Sequence, residues 1–133
     1  VRPATVDVFD AFCRGPALDA GCVCVLGDLF DFWVGVEQLR DPVARRVTAN
    51  LAQLRRAGVD VRVMRGNRDL LLGERFAAAA GAMLLPDLEF APIAGVPTLL
   101  LHGDTLCTAD AGYQRYRAWA TQQQHSAASS RCL

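Results

Sequence analysis

Two apolar runs, Cys22 to Leu26 and Val59 to Met64, flank a stretch written for a helix, and this order constrains the chain more than any other feature. Asp41 followed by Pro42 starts that helix: the Asp side chain can accept from the first free backbone N–H groups, and Pro already has a helical φ. Gly58 ends it after the basic pair Arg55-Arg56. Val43, Val47, Leu51 and Leu54 recur at helical spacing and form its apolar stripe. Strand, helix, strand is a βαβ crossover, right-handed in nearly all proteins, and it makes the two strands parallel. An α/β fold is therefore expected.

The remaining elements are read in the same way. Pro3 opens a short helical pattern in which Val6, Phe9 and Cys13 share a face, and a second helix covers Glu74 to Ala80 and stops at Gly81. Leu88 to Ile93 and Pro97 to Leu101 flank the turn Ala94-Gly95-Val96 and read as a hairpin. From Thr121 to Leu133 the chain is polar and has no periodic apolar face. A domain over residues 1–120 and a disordered tail over 121–133 are expected, with His125 exposed and idle in that tail.

Composition narrows the class. A length of 133 residues suits one domain, and 14 basic against 14 acidic residues argue against a nucleic-acid partner. The five cysteines, Cys13, Cys22, Cys24, Cys107 and Cys132, show no zinc-type spacing. Reduced, buried thiols in a cytoplasmic protein are expected. No apolar run reaches the roughly 18 residues that span a bilayer.

Three loops carry the chemistry. Gly27-Asp28, Gly66-Asn67 and His102-Gly103 each directly follow a strand-like run. In open α/β sheets, ligands collect beyond the carboxyl ends of the strands, so loops distant in sequence meet on one rim. Asp28 offers a carboxylate able to bridge two cations, Asn67 a neutral amide oxygen and His102 an imidazole nitrogen, a donor set suited to divalent ions that handle phosphate. Singly, each residue also has a turn or capping role. Arg68 could stabilise charge on a phosphoryl group, and Asp104 could orient His102 through its second nitrogen.

The segments GDLFDFW, RGNRDLLLG and LLHGDTLCTADAGYQ together resemble the calcineurin-like metallophosphoesterases and, among them, the UDP-2,3-diacylglucosamine hydrolases; the resemblance runs from about Thr5 to Arg117. It implies a four-layer α/β/β/α sandwich and a site for two Mn2+ ions. The implied reaction is hydrolysis of the UDP-2,3-diacylglucosamine pyrophosphate to UMP and 2,3-diacylglucosamine 1-phosphate in lipid A synthesis, by water attacking the α-phosphorus. Asp28, Asn67 and His102 would hold metal, and Asn67, Arg68, Asp110 and Tyr113 would meet substrate. The implied location is the cytoplasmic face of the bacterial inner membrane, held peripherally.

The family pattern also has an Asp-x-His motif before this region and a Gly-His-x-His motif after it, and neither occurs in this sequence. A fragment with an impaired site is therefore expected. Two other readings stay open: a different calcineurin-like phosphoesterase, or a non-catalytic domain that keeps the sheet without the chemistry.

Overall fold

The computed structural model describes residues 3–129, with side chains described for residues 4–122. Strands β1 (Cys22–Leu26), β2 (Asp60–Met64) and β3 (Met83–Leu84) form a parallel sheet in that order. β1 and β2 pair from Cys22 beside Asp60 to Leu26 beside Met64, so they end level. The predicted crossover is present. Helix α2 (Pro42–Arg56) connects them, with the Asp41 carboxylate accepting from the N–H groups of Val43 and Ala44 at 2.9 and 3.0 Å.

Alternation along the strands feeds two cores. Val61 and Val63 of β2, with Val23 and Val25 of β1, face α1 (Pro3–Arg14), α2 and α3 (Glu74–Ala80), where Cys13, Ala44, Val47, Leu51, Leu54, Phe76 and Ala80 are buried. Val43, expected in that stripe, is only partly buried, and Ala44 takes the inner position. Phe30, Trp33 and Phe76 meet with ring centroids 4.9 to 5.7 Å apart, which pins the segment after β1 onto α3. Met64 points to the opposite face and packs with Leu85, Ala91, Leu100 and Cys24.

Ala91 and Leu100 belong to the antiparallel hairpin of β4 (Leu88–Ile93) and β5 (Val96–Leu101). Ala94 and Gly95 both have positive φ, 50° and 81°, as a tight two-residue hairpin turn of this hand requires. The turn is thus one residue shorter than the sequence suggested, with Val96 paired to Ile93. The two-residue strand β3 was not foreseen, because its length is too short for any periodicity.

Helix α4 (Ala111–Ser129) continues through Thr121 to Ser129. Ala and Gln favour helix even without an apolar stripe. Residues 130–133 and the side chain of His125 lie outside the described residues. Of the cysteines, only Cys13 is fully buried; Cys22 and Cys107 are exposed, Cys24 is half-buried, and Cys132 lies outside the described residues.

A polar tie joins α1 to α2. Arg46 reaches Asp7 at 2.6 Å and also pairs with Asp10, to which Asn50 donates. Burial raises the pKa of Asp10, but its bonds to Asn50 and Arg46 outweigh that and hold it below the usual carboxylate value. A depressed folded-state pKa gives stability present above the unfolded pKa and lost as pH falls through the folded one. Thermal unfolding of wild type will therefore fall more steeply on acidification below about pH 4 than that of Asp10→Asn. Leu51, fully buried, anchors the larger core. Leu51→Ala will lower the unfolding free energy by about 2–5 kcal/mol in denaturant titration.

Candidate metal centre

β1 and β2 stop level, so the loops that follow them touch. An added Cβ on Gly27 would lie 2.7 Å from Gly66 Cα and 2.4 Å from His102 Nδ1. One on Gly66 would lie 2.2 Å from Asp28 Oδ1 and 2.3 Å from the Asp28 backbone nitrogen. Both glycines are required by this close crossing, and Gly27 also has φ 94°. Asp28 itself takes the left-handed conformation at φ 53°, one that Asp tolerates better than most residues.

β5 then delivers His102 to the crossing. A ring nitrogen, Nδ1, lies 2.8 Å from the Leu26 carbonyl oxygen, which can only accept, so Nδ1 carries the hydrogen. In the neutral ring, Nε2 is then an acceptor. It faces Asn67 Oδ1 at 3.0 Å and Asp28 Oδ1 at 3.6 Å. A ring nitrogen that accepts and the two oxygens facing it repel unless positive charge lies among them, and an imidazole, an amide oxygen and a carboxylate fit a divalent cation. Among the described residues, no group of three His, Cys, Asp or Glu side chains is arranged to hold a metal; Asn67 is the third donor here. The His102 side chain is 18% exposed and that of Asp28 32%, so the cluster opens to solvent on one side.

Beneath the loops lies Asp69, which is 0% exposed. Its Oδ1 accepts from the N–H of Gly66 at 2.7 Å and of Asp28 at 3.3 Å, and its Oδ2 from the N–H of Phe30 at 3.3 Å. Burial pushes its pKa up and the backbone bonds pull it down, with burial prevailing. The sequence motifs did not single out Asp69. The available signal was its place three residues after Gly66, where a short acidic side chain can close a turn on the backbone.

Arg68 instead leans over Asp28, its backbone N–H donating to Asp28 Oδ1 at 3.0 Å and its Nε 3.8 Å from Oδ2. Its side chain is 59% exposed. Asp104 does not orient His102, because the Leu26 carbonyl already takes Nδ1. It accepts from Arg117 Nε at 2.8 Å and from the Tyr113 hydroxyl, while Arg117 also reaches Asp87 at 2.9 Å. Burial first, then the bond to Asp104, pushes the Tyr113 phenol above its usual range. Asp110 caps the start of α4, accepting from the Tyr113 N–H at 2.9 Å. Asp28, Asn67, Arg68 and His102 are thus drawn together, whereas Asp110 and Tyr113 are engaged with the start of α4 and with Asp104.

Gly66→Ala forces Asp28 backbone and side chain aside together. It will destabilise the protein by about 1–3 kcal/mol or more in thermal unfolding. Gly21→Ala, where an added Cβ meets nothing within 4 Å, will stay within about 0.5 kcal/mol of wild type.

No protein-family profile matches the chain. Among individual proteins, it is 48% identical over 121 residues to a UDP-2,3-diacylglucosamine hydrolase of Ralstonia nicotianae, covering 91% of this chain and 45% of that protein. It is 45% identical over 117 residues to the Marinobacter nauticus protein of the same name (88% and 48% covered), and 42% identical to that of Escherichia coli (88% and 48%). The resemblance read from the three motifs thus extends over about nine-tenths of the chain. The chain spans just under half the length of these curated relatives.

Proposed function

We propose that the protein carrying this chain hydrolyses the pyrophosphate of UDP-2,3-diacylglucosamine to UMP and 2,3-diacylglucosamine 1-phosphate, a step of lipid A synthesis. The observation that carries this reading is that the Asn67 and Asp28 oxygens lie 3.0 and 3.6 Å from His102 Nε2 in a chain so similar to hydrolases of that name. The enzyme class follows from those relatives. The same reading places the described sheet and hairpin inside a four-layer α/β/β/α sandwich, with Met64, Ala91 and Leu100 between its two sheets.

Asp28, Asn67 and His102 would hold divalent cations, Mn2+ in this proposal, which supply Lewis acidity toward phosphoryl oxygens. The chain's own groups do the rest. The Leu26 carbonyl keeps the hydrogen of His102 on Nδ1 and leaves Nε2 a donor of its lone pair. Arg68, long and exposed beside Asp28, can swing to the phosphate and offset charge on the departing UMP. Tyr113 and Asp110 would border the sugar and acyl groups from the start of α4. Equal numbers of acidic and basic residues fit a small anionic substrate better than a polynucleotide. Among the described residues no helix is long and apolar enough to cross a membrane, and peripheral contact with the inner face of the inner membrane is part of this proposal.

Asp-x-His and Gly-His-x-His are absent from the sequence, so the donors present in this chain suit one cation better than two. A non-hydrolytic domain is the second reading, favoured by the lack of a third His, Cys, Asp or Glu at the cluster among the described residues. Purified chain will bind Mn2+ at one weak site in calorimetry and turn over UDP-2,3-diacylglucosamine far more slowly than a complete relative; His102→Ala will abolish that binding. Metal binding unaffected by His102→Ala and Asp28→Ala would overturn the metal assignment. Cleavage of bis(p-nitrophenyl) phosphate without cleavage of the UDP lipid would point to a different phosphoesterase.

A further inference from the structure

We propose that Asp69 is the positioning residue of the metal cluster: its buried carboxylate sets the Asp28 loop against the Asn67 loop and so determines cation affinity, an inference that rests on the metal reading above. Asp69 touches neither His102 nor the open side of the cluster. Its two oxygens hold one N–H from the loop that carries Asn67, that of Gly66, and two from the loop that carries Asp28, those of Asp28 and Phe30. It is the side chain through which both ligand loops are bonded to a single planar group. The carboxylate is fully buried, and this set of backbone donors offsets part of the cost of its charge.

A core residue of equal burial would stabilise the fold without regard to where Asp28 and Asn67 stand. Asp69 differs because its bonds end on the backbone of Asp28 itself, of Gly66 next to Asn67, and of Phe30 two residues past Asp28. Gly66 and Asp28 share Oδ1, so that atom ties the two loops directly, alongside the bonds from Arg68 N–H to Asp28 Oδ1 and from Trp33 N–H to the Arg68 carbonyl. Groups that orient metal ligands without touching the ion commonly change affinity 10–100-fold when altered.

The discriminating change is Asp69→Asn, which keeps the shape but turns one acceptor into an NH2 donor. In one orientation that NH2 faces the Phe30 N–H and in the other those of Gly66 and Asp28, so at least one of the three bonds is lost either way. In calorimetry with MnCl2, Asp69→Asn of the 133-residue chain is expected to bind Mn2+ about 10-fold or more weakly than wild type, with its circular dichroism unchanged. Leu51→Ala, which weakens the core far from the loops, is expected to leave Mn2+ affinity at the wild-type value. Equal affinity in wild type and Asp69→Asn, with Asp28→Ala losing binding, overturns this inference and leaves the metal reading standing. Wild type binding no more Mn2+ than Asp28→Ala overturns both. Hydrogen exchange on wild type gives a test that needs no variant: the amides of Gly66, Asp28 and Phe30 are expected to open at a common rate and to be slowed together by Mn2+. Unrelated rates at the three amides would overturn the inference.

Discussion

The parallel register of β1 and β2 sets Leu26 beside Met64, and the rest of the molecule's chemistry depends on the two strands ending at the same level. From there the chains turn into each other, close enough that neither Gly27 nor Gly66 could carry a Cβ. Ladder hydrogen bonds fix the level, the helix crossover fixes the direction, and two cores on opposite faces of the sheet hold it flat against α2 and the hairpin. A slip of one residue would exchange the two faces of β2, sending Val61 and Val63 to the hairpin side and carrying Asn67 away from Asp28. Packing and site geometry are thus one constraint expressed twice.

Much of this was legible in the chain because the signals were local. Asp41-Pro42, Gly58, Gly81 and Ala94-Gly95 mark helix and turn boundaries through side-chain caps and positive φ, and each acts where its residue stands. The convergence of Asp28, Asn67 and His102 could be anticipated from one topological rule about strand ends. What stayed hidden was long-range or too short to pattern. β3 is two residues long, and Ala44 joins Val47, Leu51 and Leu54 on the buried face of α2, with Val43 only partly buried against it. The role of Asp69 needed coordinates, since its three backbone partners come from two segments separated by about 40 positions.

The second nitrogen of His102 illustrates how a plausible side-chain partner can lose to the backbone. Asp104 lies two residues on, carries the right charge and was the natural candidate to orient the ring. The Leu26 carbonyl is presented at 2.8 Å by the last residue of β1, whereas Asp104 has Arg117 and Tyr113. Neutral acceptor and buried ion pair each end up with the donor that suits them.

The larger core is assembled from residues between Phe9 and Leu84, all upstream of the hairpin. During ribosomal synthesis the residues of that scaffold, with its Asp28 and Asn67 loops, therefore emerge before the imidazole does. His102 is the last member of the acceptor cluster to emerge, carried by β5 to the Leu26 carbonyl at the end of β1, so in order of synthesis the architecture precedes the completed cluster.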